Sequence, residues 1–209
     1  MTGKQKKTNG YGTRDWVYIG LFGALWGVVE LSLGSILHII FPPLTNTFFA
    51  GLIPGMLGCI IALTGRRFVD RKGSLVFIGL ITGLLKAFSP GGIRIGPITA
   101  IVMQAVLMEG ALDLFRGKSI AHIPAGMLAL GWNFLHRFIM LRLLYGKRFT
   151  DVALKMAKDG STLLGIPETA IWAVLASLLI SSLAAGAAAG LAALRIGRTV
   201  EKRMAKTHE

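Results

Sequence analysis

The chain has a single cysteine, Cys59, among 209 residues. That excludes an intramolecular disulfide and any zinc site built on several thiolates. Charge is also scarce: 16% of residues are Asp, Glu, Lys or Arg, against about 25% in a typical soluble domain. Only 10 residues are acidic, against 23 Lys and Arg. The four histidines, His38, His122, His136 and His208, lie far apart in the sequence, so no spacing suggests a metal site and none is expected. There is no His-Glu-x-x-His, no Gly-x-Ser-x-Gly and no Gly-rich phosphate loop ending in Lys-Ser/Thr. Ser89-Pro90-Gly91-Gly92 is Gly-rich but lacks that Lys-Ser/Thr ending. No catalytic motif, cofactor or nucleotide hydrolysis is therefore assigned to this chain.

Apolar residues are plentiful. They make up 53% of the sequence, and the mean hydropathy is +0.63. They come in blocks of about 20 residues, the length that crosses the ~30 Å hydrocarbon core of a bilayer. The expected fold is all-α: a polytopic membrane protein of six transmembrane helices. The first span is expected from about Trp16 to Phe41, closed by Pro42-Pro43, and the second from about Leu44 to Thr64. The third runs from Ser74 to Phe88 and is short. The fourth runs from Ile98 to Phe115, after Gly96-Pro97. The fifth runs from Ile120 to Tyr145, and the sixth from Pro167 to near Leu194. Between the last two, Phe149, Val152, Ala153 and Met156 recur at helical spacing and suggest an interfacial helix over 147–164. Residues 1–13 read as a basic cytoplasmic segment, 14–195 as the membrane domain and 196–209 as a charged cytoplasmic tail.

The net charge of +13 is not gathered on one face with interleaved aromatics, so it does not point to nucleic acid. It falls in clusters between apolar blocks: Lys4 to Arg14, Arg66 to Lys72, Arg116 with Lys118, and Arg195 to Lys206. By the positive-inside rule these mark the cytoplasmic side, which puts both termini inside. The weak point is the last outer loop, which holds Lys147, Arg148, Lys155 and Lys158.

Ionisable groups at membrane depth are costly and face a cavity or a partner. Of Glu30, His38, Lys86, Arg94, Gln104, Trp132, Asn133, His136, Arg137 and Glu168, most fall in the outer half of the bundle, with Glu30 and Asn133 near the midplane. Asn133 and Arg137 share a helix face, as do Trp132 and His136. This is the layout of a site that captures a solute from outside. We take Glu30, Lys86, Arg94, Trp132, Asn133, His136 and Arg137 as the candidate substrate-binding residues. The excess of cations suggests a solute with a carboxylate or other anionic group, and Trp132 could stack on a flat ring. Plainer readings stand beside this one. Glu30 could form a structural ion pair with Lys86 or Arg137, Lys86 and Arg94 could snorkel to headgroups, and Arg142 and Trp16 could be interfacial anchors. Glu109, deeper towards the inside, is either a structural partner or a coupling residue.

Small residues recur four apart in the first span, at Gly20 and Ala24 and at Gly23 and Gly27. Such spacing lets another helix approach closely, inside the chain or from a partner protein. The stretch Thr13-Arg14-Asp15-Trp16-Val17-Tyr18-Ile19-Gly20-Leu21-Phe22-Gly23-Ala24-Leu25-Trp26-Gly27 resembles the start of the substrate-binding S components of energy-coupling factor (ECF) transporters. The resemblance implies six spans, capture of a vitamin-like or other micronutrient solute, and three partners: a transmembrane T component and two cytoplasmic ATPase subunits. In that family an Ala-x-x-x-Ala pattern in the first helix docks on the T component. The positions here would be Gly20 and Ala24, or Gly23 and Gly27. Two other readings remain open: a membrane enzyme acting on a lipid or isoprenoid, and a small channel or assembly factor.

Overall fold

The computed structural model describes residues 10–40, 49–88, 95–115, 119–146 and 171–207, with residues 148, 150, 151, 154 and 158 between the last two segments. Among these residues the chain is all helical. The six α-helices are α1 (Thr13–Ile40), α2 (Phe49–Phe68), α3 (Ser74–Ala87), α4 (Ile95–Leu114), α5 (His122–Tyr145) and α6 (Ile171–Thr207), with a 3-10 turn at Ser119–Ala121 before α5. They correspond one to one with the six expected apolar blocks. Three are long and apolar enough to cross a membrane, over Thr13–Leu33, Ile95–Leu114 and Trp172–Val200, and α3 is a shorter apolar helix. The interfacial helix expected over 147–164 lies almost entirely outside the described residues, as do Arg94 and Glu168.

One boundary differs from expectation. The last helix does not stop near Leu194 but continues to Thr207. Hydropathy falls after Leu194, yet Arg195, Glu201, Lys202 and Arg203 are good helix formers. The helix therefore outlasts its apolar part.

The helices close into a ring in the order α1, α3, α4, α5, α6, α2, and α2 also touches α3 and α5. Neighbours run antiparallel where short turns join them. Gly73, at φ +87°, makes the turn into α3. Gly146, at φ +61°, ends α5 with its N–H donated to the Arg142 carbonyl, a left-handed cap that glycine adopts without strain.

The ring is held by close backbone approach, since lipid gives no hydrophobic drive between helices. At the α5–α6 contact a Cβ on Gly126 would collide with the Gly186 backbone, and one on Gly190 with the His122 carbonyl. A Cβ on Gly79 of α3 would meet the Ala105 side chain of α4. Thr82 donates its hydroxyl to the Gly23 carbonyl at 2.9 Å, tying α3 to α1. Inside lie Trp26, Leu63, Ile78, Met108 and Leu130. Outside, large apolar residues stay bare: Val17, Val28, Leu84 and Trp172 are 60–84% exposed along with Phe88. A water-soluble protein rarely exposes so many, whereas a lipid-facing wall requires them.

Candidate functional site

The antiparallel winding gives the bundle two chemically different ends. One carries the basic Arg66–Lys72 cluster and is stitched by ion pairs. Arg66, at the last turn of α2, lies 2.8 Å from Asp70 and 3.3 Å from Glu109 of α4. Glu109 also accepts the Leu75 N–H at 2.9 Å, so its carboxylate caps the start of α3, where the helix dipole favours negative charge. Arg66 and Glu109 side chains are each 9% exposed. Arg71 pairs with Asp15 at 2.7 Å and Lys72 with Asp113 at 3.5 Å. Tyr11 donates its hydroxyl to the Lys72 carbonyl. Burial, then the Glu109 carboxylate, pushes the Tyr11 phenol above its ordinary value of 10.0, against the opposing pull of Arg66 and Arg71. Glu109 is thus the ion-pair partner of Arg66 across α2 and α4.

The opposite end carries the candidate residues, in two groups. In the first, Lys86 of α3 sits 3.6 Å from the Glu30 carboxylate of α1 and donates to the Glu30 carbonyl at 2.8 Å. Both side chains are mostly buried, at 15% and 14% exposure. This is the ion pair that the plainer reading of Glu30 anticipated, and it makes Lys86 a fixed cation.

The second group lies on α5 and faces α4 and α2. His136 is buried, and its Nε2 lies 3.1 Å from the Thr99 hydroxyl of α4. The same hydroxyl lies within hydrogen-bond distance of the Gly96 and Ile95 carbonyls, at 2.8 and 3.0 Å. Trp132 stands one turn away, its ring 5.6 Å from that of His136. Its indole N–H is buried and has no hydrogen-bond partner among the described residues. Asn133 donates to the Gly51 carbonyl of α2 at 3.5 Å, and buried Gln104 donates to the Ala129 carbonyl at 3.4 Å. Both amides sit against Gly55, where a Cβ would lie 2.6 Å from Asn133 Nδ2 and 3.6 Å from Gln104 Nε2. Arg137 adjoins His136 in the chain and is partly buried.

α2 links the two groups. One turn along from Gly55, Gly58 receives the indole of buried Trp26, and Trp26 stands one turn from Glu30 on α1. Of the candidate residues, Glu30, Lys86, Trp132, Asn133, His136 and Arg137 thus fall at one end of the bundle, while Arg94 lies outside the described residues. The side chain of His38 does too. Sequence reading did not assign Thr99, Gly51 or Gly55 to this site. A threonine in an apolar helix usually bonds back to its own turn, and Thr99 does so, leaving no signal that it also faces histidine. Among the described residues no group of His, Cys, Asp and Glu is placed to hold a metal.

On α1 the two small-residue pairs part company. Gly23 and Gly27 are packed against Ile81 and Leu85 of α3, within 3 Å of where a Cβ would stand. Gly20 has nothing within 4 Å and lies with Ala24 among bare Val17, Leu21, Leu25 and Val28. That face is open to the membrane.

Comparison with curated proteins and with solved structures finds no match. A family model described as "Hypothetical bacterial integral membrane protein (Trep_Strep)" matches residues 13–204, nearly the whole helical bundle. The chain is an integral membrane protein belonging to that family.

Proposed function

We propose that the chain is the solute-capturing subunit of a micronutrient uptake transporter of ECF S-component type, in the bacterial inner membrane. In this reading all six helices span, both termini are cytoplasmic, and the ion-paired basic end faces the ATPases. The polar end opens to the outside.

The observation that carries the reading is the Trp132 indole N–H, buried beside His136 and Asn133 without an acceptor among the described residues. A buried donor left unmet costs about 1–3 kcal/mol. A solute carbonyl or carboxylate would supply the acceptor, and Arg137 favours an anionic one.

Energy must come from elsewhere, because the chain has no phosphate-binding loop. The face of α1 bearing Gly20 and Ala24 supports docking of a transmembrane T component, which brings two ATPase subunits. Gly23 and Gly27 are already occupied by α3, so the docking register we propose is Gly20 with Ala24. Affinity purification from the native membrane, followed by protein mass spectrometry, tests this. A T component and two ATPases should co-purify with the wild type and be lost with Gly20→Leu. Retention of these partners by Gly20→Leu would discard the docking face. Recovery of the chain with no ATPase would discard the transporter reading.

A further inference from the structure

On the wall of the bundle away from the polar group, α5 and α6 enclose a slot of about 460 Å³. Phe134 and Phe138, one turn apart with rings 5.3 Å from each other, form one side. Leu175 and Leu179 of α6 form the other. Phe134, Phe138 and Leu175 are each 7% exposed, so the slot is cut into the helix contact. From Phe134 to Arg142 it runs about 12 Å along the helix axis, at 1.5 Å per residue.

Its mouth differs from its depth. There stand Arg142, at the last turn of α5, and Trp172, at the described start of α6 and 77% exposed. Tryptophan and arginine at a helix end mark headgroup level. Arg142 forms no ion pair among the described residues. The slot therefore has one charged group, a cation, at the end nearest the headgroups, and apolar walls parallel to the acyl chains.

We infer that this slot binds one anionic phospholipid, with an acyl chain between Phe138 and Leu175 and its phosphate on Arg142. The site is separate from the solute site, because His136 faces Thr99 of α4 and Asn133 faces Gly51 of α2, whereas Phe134 and Phe138 line the slot against α6. Bound there, the lipid braces the α5–α6 contact at the end where backbone approach no longer holds it. The Gly126–Gly186 and His122–Gly190 contacts all lie towards the other end.

Native mass spectrometry of the full, detergent-purified chain tests this with phosphatidylglycerol and phosphatidylcholine of the same acyl chains. The wild type should retain phosphatidylglycerol about five-fold more strongly, the ratio expected of one interfacial cation on an anionic headgroup. Arg142→Gln, an exposed position, should abolish the preference and leave phosphatidylcholine binding unchanged. Leu175→Trp, which fills the slot, should weaken both lipids. Glycerol 3-phosphate, with the head but no chain, should compete poorly. Equal retention of both lipids by the wild type would overturn the proposal. So would an undiminished preference in Arg142→Gln, or full competition by glycerol 3-phosphate.

Discussion

Glu109→Ala should be the most damaging single change at the basic end of the bundle. Glu109 is the acceptor for the Leu75 N–H and the buried partner of Arg66. Breaking a buried ion pair on one side costs about 3–5 kcal/mol, because the remaining charge is left in a low dielectric. Arg66 keeps its contact with Asp70, but that carboxylate is 94% exposed and well screened. The lower part of the range, about 3–4 kcal/mol, is therefore expected, or roughly 6–16 °C at 2–4 °C per kcal/mol for a chain of this size. Cys59, the single cysteine, is fully buried, so a thiol-reactive fluorophore reports unfolding directly in detergent. Glu109→Gln, which keeps an acceptor for Leu75 but removes the charge, should lose less than Glu109→Ala. The double variant Arg66→Met/Glu109→Leu should recover most of the loss, since apolar replacement of both partners is often neutral. An unchanged melting temperature for Glu109→Ala, or a double variant as weak as the sum of its singles, would refute the reasoning.

Gly186→Ala should prevent recovery of monodisperse protein, because its Cβ would collide with the Gly126 backbone, whereas Gly20→Ala should be harmless, having open space; size-exclusion profiles of the two distinguish these outcomes. The Tyr11 phenol, raised above 10.0 in the fold, favours the protonated fold. Its stabilising contribution is thus full below about pH 10 and is lost as the pH climbs through the higher folded value. The melting advantage of wild type over Tyr11→Phe should hold to pH 10 and shrink above it. A constant difference up to pH 11.5 would contradict this.

Much of the fold was legible because apolar length and Pro/Gly breaks are local signals. Six blocks became six helices, with ends shifted by a few residues. The continuation of α6 to Thr207 was not legible, because hydropathy reports where a bilayer could be, not where a helix stops. Side-chain pairing was less legible. Glu30 with Lys86 could be named as one option, since both had to sit near one depth on neighbouring spans. Glu109 with Arg66 could not, because no periodicity joins the end of α2 to the last turns of α4. The two small-residue pairs on α1 had the same spacing, and only the packing of Ile81 and Leu85 separates them. The slot between α5 and α6 left no trace, since its phenylalanines and leucines read as ordinary span residues.

Solute capture at the polar end is the central claim, and ligand-retaining native mass spectrometry of the freshly purified chain tests it most directly. The account predicts one small, anionic molecule bound per chain, lost or strongly weakened in Arg137→Ala and Trp132→Phe while both variants remain folded. A chain that carries no small molecule from its native cells, and takes up none from a panel of micronutrients, would contradict it.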